Sequence, residues 1–196
     1  MRLLLTGTGT GVGKTWAGAR LAAALPGARA WKPAQSFAPG EGPTDAEVLA
    51  AATGQAPSDV CPPHRWYPVP LAPPEAADEL GLPPFTVDDL LAERPAADTL
   101  LVEGAGGVRS PLAADGDTVA LARGLRPDLV VLVAHAGLGA INDVRLSAAA
   151  LAPWPVVVLL NRFDPASRVC VRNAAFLRGD GFDVVTDLER LLNVVG

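Results

Sequence analysis

Lysine is nearly absent from this chain. Of its sixteen basic residues only Lys14 and Lys32 are lysines, and the rest are arginine. A composition bias that replaces lysine wherever arginine serves makes the two survivors the first positions to follow, because the two cations are not interchangeable at a reaction centre. Cysteine is almost as scarce. Cys61 and Cys170 are too few and too far apart for a disulfide framework or a thiolate metal site, and they read as reduced thiols packed as small hydrophobes. No run approaches the roughly 18 apolar residues of a membrane span. The apolar stretch that opens the chain is too short for a secretory signal. An excess of basic charge is missing too. A net charge of −5 and a pI near 5.0 exclude the basic face that nucleic acid requires. The expectation is a soluble, cytoplasmic protein with neither nucleic-acid nor membrane partners.

What is present is a core. The chain has 196 residues, 49% of them hydrophobic, and a mean hydropathy of +0.27, which excludes wholesale disorder. Short β-type runs at 2–6, 28–32, 99–103, 129–134 and 156–160 alternate with helical stretches at 14–25, 45–53, 87–93, 140–151 and 167–177. Several of the strands are apolar without alternation, as in a parallel sheet covered on both faces. The order predicts an α/β fold: a three-layer, doubly wound, mostly parallel sheet. Residues 1–196 read as one domain with an insertion near 55–84, where nine prolines cluster. That insertion is expected to lack regular helix and central strand. It is also expected to be ordered, because Trp66, Tyr67, Val69 and Leu71 are costly to leave in water.

The strongest local signal runs from Leu3 to Trp16: a strand, then Thr6-Gly7-Thr8-Gly9-Thr10-Gly11-Val12-Gly13-Lys14-Thr15, then a helix. Such glycines let backbone N–H groups approach phosphate oxygens, and the helix N-terminus adds its dipole. Lys14 would reach the β- and γ-phosphates, and the Thr15 hydroxyl would bind Mg²⁺. The pattern is a spacing variant of the phosphate loop, with Thr8 where glycine is usual, and it places the fold among P-loop NTPases. Glu103 ends an apolar strand and is followed by Gly104-Ala105-Gly106-Gly107, which suits a second metal ligand beside the nucleotide. Asp45 opens a helix, where capping and metal binding both fit. Lys32 ends the second strand, at the same sheet edge as the loop, where an ammonium can neutralise charge developing at a γ-phosphate.

Together these segments resemble dethiobiotin synthase, the ATP-dependent carboxylase of biotin synthesis. The motifs are the phosphate loop, Trp31-Lys32-Pro33-Ala34-Gln35-Ser36, Thr44-Asp45-Ala46, Tyr67 with Pro70-Leu71-Ala72-Pro73, Val102-Glu103-Gly104-Ala105-Gly106-Gly107, Leu138-Gly139-Ala140-Ile141-Asn142 and Asn161-Arg162. The resemblance implies ring-closing carboxylation of 7,8-diaminopelargonic acid with CO₂, through a carbamate and a carbamic–phosphoric anhydride, releasing ADP and phosphate. It implies Lys14 and Lys32 as catalytic residues and Thr15, Asp45 and Glu103 as Mg²⁺ ligands. ATP would be held by Gly9, Thr10, Gly11, Val12, Gly13, Lys14, Thr15 and Trp16, with Asp45, Glu103, Gly104, Ala105, Gly106, Asn161 and Arg162. The diamine would meet Lys32, Ser36, Leu138, Gly139, Ile141 and Asn142, the last four from the partner subunit of a homodimer whose site lies at the interface. The chain departs from the family pattern at Gly11, Pro74 and Asp143, and residues 181–186 lack the family's later nucleotide segment.

A second class is a regulatory ATPase switch of the partitioning or septum-positioning type. Such proteins carry a further lysine at the start of the loop, where this chain has Thr6 and Gly7. An amidating enzyme of the cobyrinic acid type would need a glutamine-hydrolysing part for which no room remains. His64 and His135 stand alone in spacing and read as packing or surface residues.

Overall fold

The computed structural model of the chain describes residues 1–196. In chain order the strands are β1 (Arg2–Gly7), β2 (Arg29–Trp31), β3 (Gln35–Ser36), β4 (Trp66–Tyr67), β5 (Leu100–Glu103), β6 (Pro111–Ala113), β7 (Gly116–Asp117), β8 (Leu129–His135), β9 (Val156–Asn161) and β10 (Asp183–Val185). The helices are α1 (Lys14–Ala24), α2 (Asp45–Thr53), α3 (Pro57–Val60), α4 (Pro73–Glu79), α5 (Val87–Ala92), α6 (Thr118–Leu125), α7 (Ala140–Ala150), α8 (Arg168–Gly179) and α9 (Leu188–Val195). Six strands form one sheet in the order β10-β9-β8-β1-β5-β2, with every neighbouring pair parallel. Two small two-stranded pairs, β3-β4 and β6-β7, lie outside it.

From β1 the chain passes to β2, returns to β5 between them, and then crosses to the other side of β1 for β8. That reversal opens a crevice above the C-terminal end of β1, the usual ligand position in doubly wound sheets. Both faces of the sheet are covered. Leu3 and Leu5 pack with residues of α1, α2 and α9, such as Leu21, Leu49 and Leu191, while Leu4 packs with Leu121, Val144 and Leu177 of α6, α7 and α8. The unbroken apolar runs follow from this, since alternate residues serve two different cores. Gly18 is what lets α1 lie close to β1: a Cβ there would stand 2.8 Å from Leu5 Cδ2 and 3.3 Å from Glu103 Oε2.

The expected strands and helices are present within two residues at each end. Outside the proline-rich segment six elements were not foreseen: β3, β6, β7, β10, α6 and α9. β10 is three residues long, too short for a periodic signal. The two helices did carry one, an aspartate cap at each N-terminus. Asp117 accepts from Val119 and Ala120 N–H, and Asp187 accepts from Arg190 N–H.

The proline-rich segment corrects an expectation. It contains α3, a 3₁₀ turn over Pro63–Arg65, β4 and α4. Pro57, Pro63 and Pro73 each stand in the first turn of a helical element, where a missing N–H is not needed. Tyr67 is buried against Phe85, with ring centroids 5.9 Å apart, and Arg65 grips Glu93 through two nitrogens at 2.6 and 3.1 Å. Leu71 is the exception at 44% exposure. No helix is long and apolar enough to cross a membrane.

Cys61 is fully buried in this segment, and burial pushes its thiol up to about 12. At pH 8 about one molecule in 10⁴ then holds the thiolate that an alkylating reagent attacks. Peptide mapping after iodoacetamide treatment of the folded protein should find Cys61 unmodified, and denaturant should expose it to rapid labelling. Fast labelling of Cys61 in the native state contradicts this packing.

Candidate active site

The loop after β1 is held from three sides. Thr8 N–H donates to Val133 O of β8 at 3.0 Å, Asn161 Nδ2 to Val12 O at 2.8 Å, and Arg162 Nη2 to Gly11 O at 3.2 Å. Gly13 takes φ 98° and turns the chain into α1 without a side-chain cap. The first N–H groups of α1 therefore form an anion site at the crevice. Lys14 Nζ folds back along the loop to donate to Gly9 O at 2.9 Å. Burial, reinforced by the nearby Lys32 charge, lowers the Lys14 ammonium to about 8. Incoming phosphate charge would reverse that shift.

Behind the loop lies a compact polar cluster. Lys32 Nζ is 2.6 Å from Asp45 Oδ2, 2.8 Å from Glu103 Oε1 and 3.1 Å from Gly104 O. Thr15 Oγ1 is 2.7 Å from Asp45 Oδ1 and 2.8 Å from Glu103 Oε1. Glu103 is wholly buried and Lys32 is 2% exposed. Burial opposes the charge on Lys32, but Asp45 and Glu103 outweigh it and hold the ammonium above its ordinary value. Asp45 is drawn down to about 2, chiefly by Lys32 and against its own partial burial. Glu103 moves up, because burial exceeds the pull of Lys32. Its Oε2 has no hydrogen-bond partner.

A cavity of about 600 Å³ opens over this cluster. The structure brings Thr10, Gly11, Gly13, Lys14, Thr15, Trp16, Lys32, Ser36, Asp45, Ala105 and Gly106 to its wall. Gly9, Val12 and Gly104 contribute the carbonyls described above. A neighbouring cavity of about 540 Å³ shares Gly13 and Trp16 and adds Asn161 and Arg162. Leu138, Gly139, Ile141 and Asn142 are not brought there. They line a separate open groove of about 800 Å³ along α7, with Leu138 90% exposed.

The sequence reading gave no role to Gln35, Ser110 or residues 70–73, which also line the main cavity, nor to Thr186, Asp187 and Leu188, which close the neighbouring one. Gln35 was visible as the residue before Ser36; Thr186 and Asp187 follow a strand too short to detect. Ser36 Oγ donates to Leu71 O, tying β3 to the proline-rich segment. Among the positions that differ from the family pattern, Pro74 sits in the first turn of α4, and Asp143 Oδ1 lies 3.2 Å from Asn142 Nδ2.

The metal expectation concerns two carboxylates and a hydroxyl, and no cluster of three or more His, Cys, Asp or Glu side chains exists elsewhere that would hold a metal. An all-oxygen set with few protein ligands fits Mg²⁺, which keeps waters and phosphate oxygens in its shell. Of the three, Thr15 and Asp45 line the cavity, whereas Glu103 stands behind them with Oε2 turned toward Gly18 of α1.

Comparison with known proteins agrees with these motifs. A family model described as an AAA domain matches residues 1–185. The ATP-dependent dethiobiotin synthetase BioD of Frankia casuarinae is 42% identical over 160 residues, covering 76% of this chain and 65% of that protein. The synthetase of the same name from Mycobacterium sp. strain JLS is 34% identical, covering 96% of this chain and 93% of its own length. Among solved structures, the signal recognition particle 54 kDa protein of Aeropyrum pernix K1 in complex with GDP covers 95% of this chain and 42% of that one, at a TM-score of 0.46 and 20% identity. The chain thus spans about two thirds of one curated relative and nearly all of another, and it belongs to the ATP-dependent dethiobiotin synthetase family.

Proposed function

We propose that this chain joins CO₂ to 7,8-diaminopelargonic acid at the expense of ATP, forming the cyclic urea of dethiobiotin with release of ADP and phosphate. The observation that carries this reading is that its only two lysines meet at one cavity, Lys14 on the phosphate loop and Lys32 between Asp45 and Glu103. An amine nitrogen of the diamine bonds to the carbon of CO₂ and loses a proton, giving a carbamate. A carbamate oxygen attacks the γ-phosphorus as the bond to the ADP oxygen breaks. The second amine then closes on the carbonyl carbon, losing a proton as phosphate departs.

The groups that line the main cavity suit the phosphoryl-transfer step. The α1 N–H groups and Lys14 hold the transferring phosphoryl charge, and Lys32, kept protonated by its carboxylates, faces the attacking oxygen. Thr15, Asp45 and Glu103 would hold Mg²⁺, which supplies charge neutralisation at the phosphates when bound. Asn161, braced against the loop, forms one wall of the cavity next to it, where the base would lie. Ser36, in the wall of the main cavity, would contact the diamine. The groove of Leu138 to Asn142 stands apart from the lysines of its own chain, which supports completion of the site by a second copy in a homodimer.

The test is ADP release from Mg·ATP and bicarbonate with and without the diamine, with the product identified by mass spectrometry. Diamine-dependent ADP release with dethiobiotin formed is the expected result. ADP release independent of the diamine favours the regulatory switch.

A further inference from the structure

Trp16 stands in the first turn of α1, directly after Thr15, and is 42% exposed. The exposed apolar residues Leu146, Val169, Val171 and Phe176 lie on α7 and α8, on the opposite face of the sheet, so Trp16 does not extend that surface. Gly13 and Trp16 are the two residues that border both the main cavity and its neighbour. Gly13 is backbone alone. The indole is therefore the one side chain shared between the space over the phosphate loop and the space beside Asn161.

The two sides of the ring differ. Arg20, one turn further along α1, sets its guanidinium carbon 4.2 Å from the ring centroid, and its Nη1 donates to Trp16 O at 3.4 Å. Arg20 lines neither cavity, so the ring stands as a partition between the guanidinium and the two spaces. The cation–π contact holds it in that orientation. In the neighbouring cavity, Leu159, Phe163 and Leu188 join Trp16 as apolar surface. Three of the polar groups there are already committed within the protein: Asn161 Nδ2 to Val12 O, Arg162 Nη2 to Gly11 O, and Asp187 Oδ1 to Arg190 N–H. Holding a base in this space falls largely on apolar surface, and an aromatic side chain meets any base through its π face. A nucleotide with its phosphates at the α1 N-terminus and its base beside Asn161 must pass Trp16.

We propose that the Trp16 indole is the platform against which the nucleotide base stacks, with the Arg20 guanidinium on the far side of the ring. The inference deepens the nucleotide site of the function proposed above. The resemblance places Trp16 at the nucleotide by its position after the phosphate loop, whereas the task assigned here belongs to its ring. Contact through a base face is indifferent to the groups on the base edge, so the platform serves different bases alike.

Binding to the full chain with Mg²⁺ and without diamine tests this, using non-hydrolysable analogues of ATP and GTP and inorganic tripolyphosphate. Trp16→Ala is expected to weaken both analogues about tenfold or more and to leave tripolyphosphate within about twofold. Trp16→Phe keeps an aromatic face without the indole N–H and should stay within about threefold of the unmodified chain. The analogues, and not tripolyphosphate, should quench the tryptophan emission of the unmodified chain, and Trp16→Phe should abolish the quenching. Unchanged analogue affinity in Trp16→Ala overturns the proposal. Equal losses for the analogues and tripolyphosphate also overturn it, because the change would then act through the phosphate loop. A loss confined to one base, or a loss in Trp16→Phe as large as in Trp16→Ala, replaces stacking by a hydrogen bond from the indole N–H and overturns it as well. Dethiobiotin formation is a separate measurement. Nucleotide binding without that product removes the proposed function and leaves the platform standing, whereas product formation with unimpaired binding in Trp16→Ala removes the platform alone.

Discussion

Lys32→Met is expected to reduce kcat by at least about 10³-fold, or roughly 4 kcal/mol of transition-state stabilisation, with ATP still bound. The side chain is nearly equal in length and loses only the ammonium. In the folded protein that ammonium sits within 2.8 Å of two carboxylates and cannot be replaced by solvent, because Lys32 is 2% exposed and Glu103 is fully buried. Its removal also leaves a buried carboxylate without its cation. Breaking such a pair costs about 3 kcal/mol or more, moderated here because Glu103 already sits above its ordinary range and can take up a proton. The change should therefore appear in two measurements: a lower midpoint in chemical denaturation and a collapse of single-turnover phosphoryl transfer. The double variant Lys32→Met/Glu103→Gln should recover part of the stability and none of the rate. Wild-type kcat in Lys32→Met would remove the ammonium from the chemistry.

The parts of this site that were legible in the sequence are those written as contiguous residue types. Gly13-Lys14-Thr15 at a strand-to-helix junction announces an anion site, because glycine, cation and hydroxyl each have one physical use there. Lys32 and Glu103 were legible because each ends an apolar run, and parallel strands bring their C-terminal ends to one edge. Asp45 was left between capping and metal binding. The structure gives the capping of α2 to Thr44, whose side chain accepts from Glu47 N–H, and leaves the Asp45 carboxylate to Lys32 and Thr15.

What was not legible depends on long-range packing. The bonds from Asn161 to Val12 and from Arg162 to Gly11 span about 150 residues of chain and leave no local periodicity. Thr186 and Asp187 reach the second cavity only because β10 is added at the sheet edge beside β9. The prolines misled for a different reason. Proline forbids helix interiors, but here it repeatedly begins helices, and which prolines do so is decided by where the chain turns.

Gly13→Ala is the second substitution with a large expected effect, and it tests the loop without touching a charged group. Gly13 combines two constraints. Its φ of 98° lies where an L side chain is strained. An added Cβ would also stand 2.1 Å from Asn161 Nδ2, far inside contact distance. Asn161 has little room to yield, since it is 8% exposed and pinned by its bond to Val12 O. Either the loop shifts, misaligning the α1 N–H groups, or Asn161 leaves and the base-side wall opens. Both outcomes weaken nucleotide binding, by about 100-fold or more, because several aligned donors are lost together. Fluorescence titration with an ATP analogue measures this directly. Stability should fall as well, by about 2–4 °C in melting temperature for each kcal/mol of strain. The double variant Gly13→Ala/Asn161→Ala separates the two causes. Removal of the amide relieves the clash but not the backbone strain, so the pair should be less destabilised than the sum of the singles. Strict additivity would leave the backbone alone responsible, and nucleotide affinity unchanged in Gly13→Ala would mean that the loop does not bind phosphate in this form.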